Sequence, residues 1–318
     1  MSRVDFGTEI VDHGGGVDAA AIRWGGLRRD WLDLSTGINP RPYTIPALPP
    51  EDYAALPDQA AQDALVSAAR KFWMVPPTAA LLAAPGASAL IARIPALRAP
   101  GRVKIAQPTY NEHGRAFQGQ GWQSVAEGAD ATVIVHPNNP DGRFHDMPES
   151  GLTVVDESFC DTDPDRSLIA HAARPGVIIL KSFGKFWGLA GLRLGFAIGD
   201  PGLIKELARM MGPWPVSGPA LRIGAQALHD GDWATTTRHR LKKDAERLDD
   251  MMRAVGAQVV GGTPLFRLFN VPSASSWQER LACQRIWTRV FPYSQHWLRL
   301  GLPGCEEDWA RLQRALTS

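Results

Sequence analysis

The stretch Lys181-Ser182-Phe183-Gly184-Lys185-Phe186-Trp187-Gly188-Leu189-Ala190-Gly191-Leu192-Arg193-Leu194-Gly195 decides how this chain is read. An apolar run, Val177 to Leu180, enters it, and a second, Leu194 to Ile198, leaves it. Glycines at 184, 188 and 191 let the backbone approach a ligand closely and take up positive φ. A lysine set among Phe183, Phe186 and Trp187 is expected to be partly desolvated, which favours the neutral, nucleophilic amine. Such a lysine is suited to forming a Schiff base. The plain alternative is a glycine-rich turn carrying a surface lysine.

Working outward, four further apolar runs precede this stretch: Leu81–Ala84, Val103–Ala106, Ala131–Val135 and Leu152–Val155. Each ends in a polar or turn-forming cluster: Pro85-Gly86-Ala87-Ser88, Pro108-Thr109-Tyr110, His136-Pro137-Asn138-Asn139-Pro140-Asp141-Gly142 and Asp156-Glu157-Ser158-Phe159. Short continuous apolar strands with polar C-terminal ends predict an α/β fold with a parallel sheet buried on both faces and ligands at its carboxyl edge. The turn at Gly86-Ala87-Ser88 leads into a helix, whose first N–H groups form a phosphate cradle. Helices are expected from an Asp58 cap to about Trp73, after Tyr110 through about Gln118, over 204–211, 220–229 and 233–255, and over 306–316. Asp18 is expected to cap an N-terminal helix, and Ser276-x-x-Glu279 to form a capping box.

At 318 residues and 44% hydrophobic composition, the chain has material for one large domain and a smaller companion. Lys+Arg 34 against Asp+Glu 33 gives a net charge of +1, so the totals imply no basic patch and disfavour nucleic-acid binding. Residues 1–6 lack the apolar run of a signal peptide, and no 18-residue apolar segment occurs, so a cytoplasmic location and no membrane partner are expected. Cys160, Cys283 and Cys305 are far apart and odd in number. They suit a reducing compartment and neither a disulfide framework nor a metal site.

Ser182-x-x-Lys185 with Arg193 eight positions on, Asn139-Pro140-Asp141-Gly142 and the Asp156-Glu157 pair together resemble the fold-type-I pyridoxal-phosphate enzymes of histidinol-phosphate-aminotransferase type. The resemblance covers nearly the whole chain. It implies a mainly parallel central sheet sandwiched by helices, with a large cofactor domain over 39–224 and a smaller α+β domain over 1–38 plus 225–318. It further implies pyridoxal 5'-phosphate as cofactor and Lys185 as the catalytic Schiff-base lysine. Asp156 then faces the ring nitrogen, Asn139 the phenolic oxygen and Tyr110 the ring face. Ser182, Arg193 and the N–H groups of Gly86, Ala87 and Ser88 hold the phosphate, and Arg299 in Trp297-Leu298-Arg299-Leu300 grips the substrate carboxylate.

Within that family, His13-Gly14-Gly15, Asp33-Leu34-Ser35-Thr36-Gly37-Ile38-Asn39-Pro40 and Pro108-Thr109-Tyr110-Asn111-Glu112-His113 resemble the phosphothreonine decarboxylases of cobalamin biosynthesis. The resemblance implies a phosphorylated amino-acid substrate, with His13 and Asn39 at its phosphate, and a homodimer. An aminotransferase of histidinol-phosphate type and a non-catalytic cofactor-binding regulator are the alternatives. Two positions depart from the family pattern. Phe159 stands where many relatives carry a tyrosine, and Leu56-Pro57-Asp58 stands where Tyr-Pro-Asp often reaches across the dimer.

Overall fold

The computed structural model describes residues 13–317 and divides into two compact units. The larger is formed by 38–247 with 261–265, the smaller by the residues up to Gly37, 248–260 and 266 onward. The expected boundary at 224 thus falls well inside the larger unit. Residues 1–12, which that expectation placed in the smaller domain, lie outside the described residues.

The smaller unit opens with α1 (Val17–Trp24) and β1 (Leu32–Asp33). Asp18 is not its cap: Gly16, in the left-handed region, precedes the helix with no side-chain cap bond. Asp18 instead sits in the first turn, where an acid still favours the positive end of the helix.

The larger unit runs through α2 (Glu51–Ala54) and α3 (Gln59–Phe72), whose Asp58 cap accepts the Ala61 N–H at 3.2 Å as the sequence predicts. Then come β2 (Ala80–Ala84), α4 (Ala87–Ile91), β3 (Arg102–Ile105), α5 (Asn111–Gly119) and β4 (Gln123–Ser124). β5 (Ala131–Val135), β6 (Leu152–Asp156), β7 (Val177–Ser182) and β8 (Gly195–Gly199) follow, then α6 (Pro201–Met211), α7 (Gly218–His229) and α8 (Gly231–Ala254), whose residues from Leu248 onward belong to the smaller unit. The seven strands form one sheet in the order β2-β8-β7-β6-β5-β3-β4. Strands β3 to β7 pair in parallel, and β8 runs antiparallel to both β7 and β2. Every residue of β5 and β6 is buried, which is why these strands read as unbroken apolar runs rather than alternating ones. The parallel strands deliver their carboxyl ends to one edge, and all the polar clusters sit there.

The chain then returns to the smaller unit through β9 (Gln258–Thr263), β10 (Phe266–Asn270), α9 (Ala274–Cys283), β11 (Ile286–Trp287), β12 (Arg289–Phe291), β13 (Ser294–Gly301) and α10 (Glu306–Thr317). A four-stranded sheet has the order β12-β13-β10-β9, and β1 pairs in parallel with β11. The expected capping box is replaced by Ser273, which accepts the Ser276 N–H, because α9 starts a turn earlier.

The aromatic residues around Lys185 anchor its loop rather than coat the lysine. Phe183, Phe186 and Trp187 are completely buried. Trp187 lies between Phe183 and Trp233, stacked on both at 5.1 and 5.2 Å with an 11° tilt to each. Tyr43 and Phe72 add edge-on and tilted contacts. Replacing that ring deletes the centre of the cluster. Trp187→Ala is expected to cost about 3–5 kcal/mol of stability, read as a lower urea midpoint with an unchanged slope. A shift below about 1 kcal/mol would show that the loop is held by other means.

Candidate active site

One cavity of about 120 Å³ opens at the carboxyl edge of the larger unit's sheet. Ala87 and Ser88 reach it from the first turn of α4, Tyr110 from the start of α5, and Asn139 from the loop after β5. Asp156 enters from the end of β6, Ser182 from the end of β7, and Lys185 and Arg193 from the glycine-rich loop. The structure therefore brings together residues spread over more than a hundred positions of sequence.

Asp156 is the electrostatic centre of this cavity. Burial would raise its pKa, but bonds from three donors outweigh it and hold the carboxyl below its ordinary range. His113 Nε2 lies 2.9 Å from Oδ2, and the backbone N–H and hydroxyl of Ser158 both donate to Oδ1, at 3.0 and 2.5 Å. Tyr110, edge-on to the His113 ring at 6.1 Å, has its phenol pushed up to about 12 by burial and then by the Asp156 charge. It stays protonated at any working pH.

Lys185 Nζ lies 5.3 Å above the Phe159 ring, a cation–π distance. Phe159 is thus an aromatic neighbour of the amine. The Arg193 backbone adopts a left-handed conformation with φ of 53°, a cost that sites of function commonly carry. Its guanidinium donates to the Ala190 carbonyl at 3.0 Å and packs so close to Gly86 that a Cβ there would come within 2.6 Å of Nη2. Gly195 is required for a similar reason, since its Cβ would meet the Ala87 nitrogen at 2.4 Å. Gly142 ends the Asn-Pro-x-Gly motif where a Cβ would collide with the Gly262 carbonyl. Asn138 fixes that loop to the one carrying Tyr110, donating to the Pro108 carbonyl and accepting from the Thr109 hydroxyl at 2.6 Å.

These groups fit pyridoxal phosphate. An ionised carboxylate suits a protonated ring nitrogen, and a ring face is offered by Tyr110. The Gly86 cradle, whose space a side chain would fill, sets a guanidinium beside first-turn N–H groups that have no intrahelical acceptor.

Asn39 departs from its expected place at a substrate phosphate. It is buried, its amide donates to the Phe186 carbonyl at 2.9 Å, and its oxygen accepts from the Arg41 N–H and from Arg240. It braces the Lys185 loop, whose Lys185 carbonyl accepts the Asn39 N–H. In the smaller unit, Arg299 is buried, donates to the Ser35 carbonyl at 2.7 Å and lies 5.0 Å above the Phe266 ring. The segment from His13 converges on the same serine: the Gly15 N–H donates to the Ser35 hydroxyl, and Arg289 donates to the His13 carbonyl. A Cβ at Gly14 would meet the Ser35 carbonyl at 2.4 Å, which explains the glycine after His13.

Sequence reasoning missed His113, Ser158 and the buried trio Lys181, Glu157 and Asp161. His113 lies one helical turn from Tyr110, and that spacing was the available signal. His136, Glu157 and Cys160 bring their ligand atoms within 4.8 Å of one another, but both ring nitrogens of His136 and both oxygens of Glu157 are already bonded.

Comparison with known proteins gives three findings. The family model described as aminotransferase class I and II matches residues 133–316. A threonine-phosphate decarboxylase of Pseudomonas aeruginosa is 38% identical over 96% of this chain and 97% of its own, and one of a Sinorhizobium species is 40% identical with the same coverage. Among solved structures, the histidinol-phosphate aminotransferase of Sinorhizobium meliloti in complex with pyridoxal-5'-phosphate superposes with a TM-score of 0.79 at 18% identity, covering 95% of this chain and 93% of that one.

Because Asp156 is depressed, its bonds contribute stability that is present above the ordinary carboxylate range and is lost as the pH falls through the depressed native value. Ser158→Ala removes one charged hydrogen bond, so it should cost about 1.5–3 kcal/mol at neutral pH. That cost should shrink as the pH is lowered. A cost that is constant with pH in urea titrations would mean that the hydroxyl does not act through the carboxylate.

Proposed function

The chain belongs to the class I and II aminotransferase family, and on that footing we propose that it decarboxylates L-threonine O-3-phosphate to (R)-1-aminopropan-2-ol O-phosphate, a step of cobalamin biosynthesis. The cofactor is pyridoxal 5'-phosphate. The observation that carries the reading is the match, over nearly the whole length of both chains, to two proteins named for that decarboxylation.

When bound, the cofactor withdraws the electron pair that a departing carboxylate leaves on Cα. The protein's part is to bind, orient and move protons. Asp156, ionised at neutral pH, keeps a proton on the ring nitrogen. Tyr110 covers one face, Asn139 donates to the phenolic oxygen, and Arg193, Ser182 and the first-turn N–H groups of α4 hold the phosphate. Lys185, the lysine that lines the cavity, supplies the amine and returns a proton to Cα. Arg299 is assigned the substrate carboxylate and His13 the substrate phosphate; Asn39 acts in the reading as a brace of the lysine loop.

Decarboxylation and transamination differ in which bond at Cα stands perpendicular to the cofactor plane. A substrate held by its amine, its carboxylate and its phosphate cannot rotate, and each charged hydrogen bond contributes about 1.5–3 kcal/mol to that restraint. The phosphate thus selects the bond that breaks.

The active protein is proposed to be a cytoplasmic homodimer. No helix among the described residues is long and apolar enough to cross a membrane, and Tyr53 and Leu56 expose large apolar side chains beside the segment expected to face the partner's cofactor. Sedimentation showing a fully active monomer would remove the dimer.

One incubation tests the reaction. L-threonine O-3-phosphate should release carbon dioxide over many turnovers with no 2-oxo acid present, and L-threonine should react poorly. Stoichiometric conversion of the cofactor to its amine form, with turnover only after a 2-oxo acid is added, would establish an aminotransferase instead.

A further inference from the structure

Asp156 and Glu157 are successive residues at a strand end, so their side chains leave opposite faces. The same holds for Lys181 and Ser182 on the neighbouring strand. Asp156 and Ser182 face the cavity. Glu157 and Lys181 meet on the far side, Oε2 to Nζ at 2.6 Å, with both side chains at most 2% exposed.

This ion pair is a junction of loops. Glu157 Oε1 accepts the Leu168 N–H at 2.6 Å and Oε2 accepts the Ser167 hydroxyl at 2.6 Å, which closes the loop that carries Ser158 and Phe159. Asp161, in the middle of that loop, has its Oδ1 3.8 Å from Lys181 Nζ. Its two oxygens accept the indole N–H groups of Trp73 and Trp187, at 2.8 and 3.1 Å. Trp187 belongs to the Lys185 loop. Arg238 Nε donates to the Asp161 carbonyl at 2.7 Å and brings a second positive charge to the junction. Burial alone would lower the Lys181 pKa, but Glu157 and then Asp161 hold it above its ordinary value, so the amine stays charged.

We propose that Lys181 is a positioning residue of the cofactor site, a buried cation that clasps the loop after β6 to the loop after β7 and so keeps Asp156 and Lys185 in register. This rests on the cofactor reading above. Lys181 touches neither cofactor nor substrate. Without it, the Glu157 and Asp161 carboxylates keep the neutral donors named above while Arg238 bonds the Asp161 backbone carbonyl instead of either carboxylate, and the Phe159–Ser167 loop loses its tie to the strand that leads to Lys185. A shift of this kind at the ring nitrogen or the amine weakens cofactor binding even when the protein stays folded.

The test is a titration of cofactor-free protein with pyridoxal phosphate, followed by absorbance, for wild type, Lys181→Met, Lys181→Arg and Leu207→Ala. Leu207 is a fully buried residue of α6 outside the cavity, so its truncation loses stability without touching the junction. Circular dichroism fixes a temperature at which each variant is folded. Lys181→Met should bind the cofactor about 10- to 100-fold more weakly, the range for residues that orient ligating groups from outside. Lys181→Arg should recover most of that loss because a guanidinium can bridge both carboxylates, and Leu207→Ala should bind like wild type. Should Lys181→Met not fold, Glu157→Gln, which keeps the shape but not the charge, takes its place with the same expected weakening. Unchanged binding in the charge-removing variant overturns the proposal. So does an equal loss in Leu207→Ala, or no recovery in Lys181→Arg. A wild-type protein that takes up no cofactor overturns the cofactor reading and this proposal together.

Discussion

A carboxylate kept ionised while buried is the constraint on which this active site depends. Removing a charge from water is costly unless hydrogen bonds replace the lost solvent, and Asp156 receives that replacement from His113 and twice from Ser158. The three donors come from α5 and from the turn just after β6, so the sheet and its flanking helix must both be in place before the charge is tolerable. The charge in turn sets its surroundings. Added to the larger effect of burial, it raises the Tyr110 phenol.

The strand alternation at the sheet edge then divides labour between two faces. Toward the cavity stand Asp156, Ser182, Lys185 and Arg193. On the far side stand Glu157 and Lys181, with Asp161 joined to them from the loop. Close backbone approach supports the front face. Gly86, Gly142 and Gly195 occur where a single added carbon would strike a guanidinium or a backbone atom. These glycines therefore report on packing that lies far away in sequence.

That division also explains how much was legible in the sequence. The central strands, the Asp58 cap and the cavity residues from Ala87 to Arg193 could be read, because each rests on local patterning: an apolar run, a turn residue, a polar cluster at a strand end. What escaped rests on pairing across the chain. Nothing local marks Lys181 until Glu157 is placed opposite it, and Asn39 reads as a polar ligand until Phe186 and Arg240 occupy it. The aromatic residues beside Lys185 were expected to desolvate it. In the fold they turn into the core, and the ring under the amine is Phe159, from another strand end. The two misplaced caps, at Asp18 and Ser276, reflect helices that begin one or more residues before the strongest capping side chain, where a backbone turn or an earlier serine serves.

The central claim is that the fold presents Lys185, and not its buried neighbour Lys181, to the cofactor. Borohydride reduction of the cofactor-loaded protein, followed by proteolysis and mass mapping, tests it most directly. The account predicts one stable adduct, carried by the peptide that contains Lys185 and absent from the Lys185→Ala protein. An adduct on Lys181 or on any other lysine, or one that persists unchanged in Lys185→Ala, would contradict it.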